Sequence, residues 1–93
     1  MQRRVHIIVT GRVQGVNYRA STRDKAVALG IAGWVRNKMD GSVEITAEGD
    51  KFSVNTLINW CESGSRWASV EGLKVADETP KGDLIGFVIR RDE

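Results

Sequence analysis

The sequence predicts an α+β sandwich: an antiparallel sheet with two helices packed on one face, in the order β-α-β-β-α-β with an added terminal strand. Three observations predict it. Apolar residues recur at strand period in some stretches and at helical spacing in two others. The turn Met39-Asp40-Gly41 lies between two apolar-alternating runs, a short-range hairpin signal. Each helical stretch lies between two strand candidates, which is the split βαβ arrangement.

The elements follow in order. Val5, Ile7 and Val9 alternate with His6, Ile8 and Thr10, a strand period. A glycine-rich loop comes next. From Ala20 to Leu29 the composition is helical, with Thr22, Ala26 and Leu29 on one face and Gly30 placed to close the helix. Residues 31–38 and 42–48 read as the two strands of the hairpin. Asp50 can cap a second helix running to about Glu62, on which Val54, Leu57, Ile58 and Cys61 share a face. Gly64-Ser65 ends it. Strands are expected over 70–75 and 85–91, separated by the polar loop 77–83.

Ninety-three residues suit one domain with a single core, so residues 1–93 are read as one unit. No run approaches the ~18 apolar residues that span a bilayer. The N-terminal Met-Gln-Arg-Arg is followed by an apolar run, but His6 interrupts it and no small-residue cleavage site follows. A strand of a cytoplasmic protein is the expected reading. The net charge of +2 comes from interspersed signs, which gives little push toward nucleic acid. Arg3, Arg4, Arg90 and Arg91 would cluster only if the first and last strands were neighbours. Cys61 has no cysteine to pair with and is expected as a small buried residue, which fits a reducing compartment.

Two segments carry chemistry. Residues 11–19 read Gly-Arg-Val-Gln-Gly-Val-Asn-Tyr-Arg, a glycine-punctuated loop that leaves an apolar strand where a helix should begin. Backbone N–H groups at such a turn, with the helix N-terminus, suit an anion. Gly11 and Gly15 allow the loop to curl, so the N–H groups of Gln14, Gly15, Val16, Asn17, Tyr18 and Arg19 could point at one centre. Arg19 adds a planar, permanently charged fork for two oxygens of a phosphate or carboxylate. The second segment, residues 33–44, puts the amide of Asn37 on a strand that could run beside the loop. That amide oxygen could accept from a water while its NH₂ donates to a phosphate. Blander readings stand beside these. The loop could be a plain connector, Arg19 a surface partner of Asp24 or another acid, and Asn37 only the end of a strand.

The inventory excludes much else. One histidine, no cysteine pair, and no HExxH or EF-hand spacing leave no metal motif, and the loop lacks the Gly-Lys-Ser/Thr of a Walker A motif. Asp77, Glu78 and Asp83 read as a solvated loop. No metal or cofactor is expected. Phosphoryl transfer suits so sparse a set, because its transition state spreads negative charge over oxygens that positioned donors can stabilise.

The blocks Gly-Arg-Val-Gln-Gly-Val-Asn-Tyr-Arg (11–19), Gly-Trp-Val-Arg-Asn (33–37) and Asp-Gly-Ser-Val-Glu (40–44) resemble the signature of the acylphosphatases. The Gly-Phe-Val-Ile-Arg ending (86–90) also suits that family. The resemblance implies a ferredoxin-like sandwich and hydrolysis of acyl phosphates to a carboxylate and inorganic phosphate. It implies that the arginine, here Arg19, binds phosphate and the asparagine, here Asn37, orients water. The absence of a strong base agrees, since a carboxylate leaves without much protonation while a phosphate monoester resists hydrolysis far more strongly. Inorganic phosphate would then be product and inhibitor, and the chain is expected as a monomer. Two positions depart from the family pattern: Asn17, where glycine is frequent, and Tyr18, where phenylalanine is usual. Two rivals remain. An RNA-binding sheet would need aromatics that residues 42–48 lack. A non-catalytic anion-binding or regulatory domain of the same fold would keep the loop without turnover.

Overall fold

The computed structural model describes residues 1–93. In it β1 (Gln2–Arg12), α1 (Tyr18–Ala28), β2 (Ala32–Asn37), β3 (Val43–Asp50), α2 (Lys51–Ser63), β4 (Ser69–Glu78) and β5 (Phe87–Ile89) follow in the expected order. The strands form one sheet in the order β4-β1-β3-β2-β5. The sheet is mixed rather than antiparallel throughout. β1 pairs antiparallel with β3 and β4, and β2 with β3, but β5 runs parallel to β2. The chain leaves β4 at one edge, crosses to the other edge and returns in the opposite direction, which is the direction of β2.

The alternation of β1 explains the layering. Val5, Ile7 and Val9 point to the helix face and are fully buried. They meet Ile45 and Ala47 of β3, Val35 of β2, Ala26 of α1, and Val54, Leu57 and Cys61 of α2. Each such apolar side chain contributes about 1.5–3 kcal/mol on leaving water. The caps of α2 match the sequence, with the Asp50 side chain accepting from Phe52 N–H at 3.0 Å. Asp40 shapes the hairpin turn, one carboxylate oxygen accepting from both the N–H and the hydroxyl of Ser42.

The opposite face of the sheet is crossed by chain at Glu48 and Arg4. The β4–β5 connection crosses it, and the Glu48 carboxylate accepts the N–H groups of Lys81 and Gly82. Arg4, beside Glu48 in the ladder, binds Glu48, Glu78 and Asp83. Arg3 binds Asp77. Asp77 and Glu78, which end β4 rather than lying in a loop, and Asp83 of the connection are thus engaged by arginines of β1. Arg90 lies elsewhere, over the Trp34 ring on β2, because β3 and β2 separate β1 from β5. The four arginines therefore do not form one cluster.

Candidate active site

β1 carries a register shift between Thr10 and Gly11, stays paired with β4 through Arg12, and then delivers the glycine-rich loop to the start of α1. Val13 and Val16 turn into the core, and the Ser65 hydroxyl donates to the Val16 carbonyl at 2.7 Å. Tyr18 is 1% exposed; its ring lies 5.5 Å from that of Trp60 and its hydroxyl donates to the Cys61 carbonyl at 2.8 Å. Burial raises the pKa of the Tyr18 hydroxyl and pushes the Cys61 thiol up to about 12, so neither ionises near neutrality. Gly64 lies against the Tyr18 ring, where any Cβ would collide.

Asn17 ends the loop in the left-handed region, with φ 64° and ψ 23°, as the residue preceding α1. Its side chain caps no N–H of the helix, unlike Asp50 at α2, and the first turn of α1 holds no acid. No acceptor of the chain takes the backbone N–H groups of residues 14–19. They remain available, at the positive end of a helix.

The loop borders a cleft of about 340 Å³ lined by Val13, Gly15, Asn17, Tyr18, Arg19, Ala20, Asn37 and Ile89. The structure therefore brings Arg19 and Asn37 together, from the second residue of α1 and the last residue of β2. Arg19 is partly exposed and donates from Nη1 to Asp92 at 3.0 Å, its one protein partner. An acid does pair with it, though not Asp24, which binds Arg23. Asn37 is 8% exposed, and its Oδ1 is buried with no hydrogen-bond partner in the chain. An amide oxygen left so is costly unless something outside the chain bonds it. Val16 and Gln14 do not line the cleft. The Gln14 side chain instead reaches the β2–β3 turn.

Sequence reading missed Ile89 and Asp92. Ile89 enters the cleft because β5 pairs with β2 as Val35 opposite Ile89, and no local pattern announces that register. Asp92 follows from the same strand placement. Beyond β5 the chain stays beside β2, with Glu93 N–H donating to the Asn37 carbonyl at 3.0 Å.

With that geometry in hand, comparison with known proteins is decisive. The acylphosphatase family model matches residues 5–89. This chain belongs to the acylphosphatase family. An acylphosphatase of Methylococcus capsulatus is 51% identical over 90 residues, covering 97% of this chain and 98% of the relative. The solved acylphosphatase of Bacillus subtilis superposes with a TM-score of 0.91 at 34% identity, covering 97% of this chain and 99% of that one. The acylphosphatase of Coxiella burnetii gives 0.91 at 35% identity, over 96% and 93% of the two chains. The two departures from the acylphosphatase pattern find physical accounts. Asn17 tolerates the left-handed backbone better than most side chains. The hydroxyl that Tyr18 adds is bonded inside the protein.

Proposed function

We propose that residues 1–93 act as one acylphosphatase domain that hydrolyses the carboxyl–phosphate bond of acyl phosphates by direct attack of water. One observation carries the proposal: a loop whose N–H groups have no acceptor in the chain, Arg19, and Asn37, whose buried Oδ1 lacks a partner, meet at one cleft. The loop and Arg19 hold the phosphoryl oxygens. Asp92 occupies Nη1 of Arg19 and leaves its remaining donors for the anion. Asn37 Oδ1 accepts a hydrogen from the attacking water while its NH₂ faces a phosphoryl oxygen.

The step balances without a strong base. The water oxygen bonds to phosphorus as the phosphorus–acyl oxygen bond breaks, the bonding pair leaves on the carboxylate, and a water proton passes to a phosphate oxygen. Charge developing on the equatorial oxygens meets donors already in place, each contributing roughly 3 kcal/mol. Inorganic phosphate, the product, fits the same donors and acts as a competitive inhibitor. The free, buried Cys61 supports a reducing, cytoplasmic setting, and no helix is long and apolar enough to cross a membrane. The chain works as a monomer in this reading.

The test is hydrolysis of benzoyl phosphate in the presence of chelator by the wild-type chain and by Arg19→Ala. Rapid turnover that collapses in the folded variant is expected. A folded wild-type chain without turnover, or equal turnover in both, would leave only an anion-binding domain.

A further inference from the structure

Gln14 belongs to the glycine-rich loop but spends its side chain away from the cleft. Its Nε2 donates to the Lys38 carbonyl at 2.8 Å and to the Ser42 carbonyl at 2.8 Å, which uses both amide hydrogens. The two acceptors are the two ends of the β2–β3 turn. Lys38 directly follows Asn37, and its own N–H donates to the Ser42 carbonyl at 2.9 Å. One amide fork thus joins the loop that presents the N–H groups to the strand end that presents Asn37.

We propose that Gln14 is a positioning residue for the hydrolytic water, setting the distance between Asn37 and the phosphate-holding loop. The inference rests on the reading in which Asn37 holds that water. No other hydrogen bond joins loop 13–17 to residues 37–42. On its other side the turn is held by the C-terminal chain, the Met39 N–H donating to the Glu93 carbonyl at 2.6 Å and the Glu93 N–H to the Asn37 carbonyl at 3.0 Å, but neither bond ties it to the loop. The loop itself has independent anchors in the Ser65 bond to the Val16 carbonyl and the Tyr18 bond to the Cys61 carbonyl. Loss of the Gln14 amide therefore leaves the phosphate-holding groups in place and unties the end of β2, with Asn37, from the loop, so that their separation is no longer fixed. The water shifts relative to phosphorus, while the bound phosphate does not. Such misplacement acts on turnover rather than on binding.

Gln14→Met keeps the length and bulk but removes both donors, and Gln14→Glu keeps the shape while facing the two carbonyls with acceptors only. Both are assayed with benzoyl phosphate, alone and combined with Asn37→Ala, and inhibition by inorganic phosphate is measured for each. Folding is checked by urea titration. Each variant alone is expected to lower kcat by about 10- to 10²-fold, as misplacement by a fraction of an ångström to an ångström does. KM and the phosphate inhibition constant should stay within about twofold. On the Asn37→Ala background either change should cost less than about twofold further, because Gln14 acts through Asn37.

Wild-type kcat in Gln14→Met overturns the inference. So does a raised KM or phosphate inhibition constant at unchanged kcat, or an equal loss on the Asn37→Ala background. If neither variant folds, Gln14 is a structural residue and the inference fails. Failure of the underlying reading looks different: Asn37→Ala alone would retain wild-type kcat.

Discussion

Arg19 brings its charge to the cleft before any substrate arrives, so its value lies in stabilising charge that is already partly formed on a bound phosphate. Arg19→Ala is expected to reduce turnover at least ~10²-fold and to weaken inhibition by inorganic phosphate, since a charge-assisted donor is lost from both complexes. Steady-state hydrolysis of benzoyl phosphate with phosphate as inhibitor reads both effects. Asn37 carries no charge, and its buried oxygen has no partner in the chain. Asn37→Ala is therefore expected to lower kcat much more than it raises KM, and a change confined to KM would count against water orientation. Both residues were legible in the sequence because an arginine closing a glycine-rich loop and an amide ending a strand sit in recognisable blocks. Asp92 was not legible. Its contact with Arg19 links residues at opposite ends of the sequence and depends on where β5 docks.

The loop and the start of α1 form an element whose shape is set from behind. Val16 and Tyr18 are buried in the core, while the loop's N–H groups have no acceptor in the chain. Gly64 adopts φ 68° and ψ −148°, a region essentially confined to glycine, and its Cα abuts the Tyr18 ring. Gly64→Ala is expected to cost about 2 kcal/mol through backbone strain and overpacking, seen as a lower urea midpoint. Asn17→Gly should change stability by less than about 1 kcal/mol, since glycine adopts φ 64° as readily. A large loss in that variant would mean that the Asn17 side chain, rather than its backbone, holds the loop. The sequence showed that the loop was glycine-rich and preceded a helix. It did not show that Tyr18 would be its buried anchor, because a tyrosine at a helix start fits exposure equally well.

Across the whole molecule, the β4–β5 connection crosses the sheet face that the helices leave open, meeting it at Glu48 and Arg4. Glu48 holds it there. Burial alone would raise the Glu48 carboxyl, but the N–H groups of Lys81 and Gly82 and the Arg4 guanidinium outweigh it and keep its pKa below the usual carboxylate range. Burial opposes ionisation of Glu44 in the same way, and there the bonds from His6 and Arg36 prevail. A lowered folded-state pKa means that the unfolded chain binds protons first as the pH falls. The stability these groups add is complete above the unfolded value of about 4.3 and is lost as pH drops through their lower folded values. Urea midpoints should fall steeply below that point, and Glu48→Gln should lower stability at neutral pH while flattening the acid limb. An unchanged acid limb would remove Glu48 as its source.

The order of strands and helices, the hairpin and the capping of α2 were determined by the sequence alone, and the blocks that resemble the acylphosphatases singled out Arg19 and Asn37. Each rests on local period, turn chemistry or a contiguous block of residues, and such signals need no knowledge of distant chain. The parallel docking of β5, the path of the β4–β5 connection, the partners of Arg19 and the reach of Gln14 to the β2–β3 turn were decided by tertiary structure. All of these join residues far apart in the chain, where hydrogen-bond register and burial, not local propensity, select the partner.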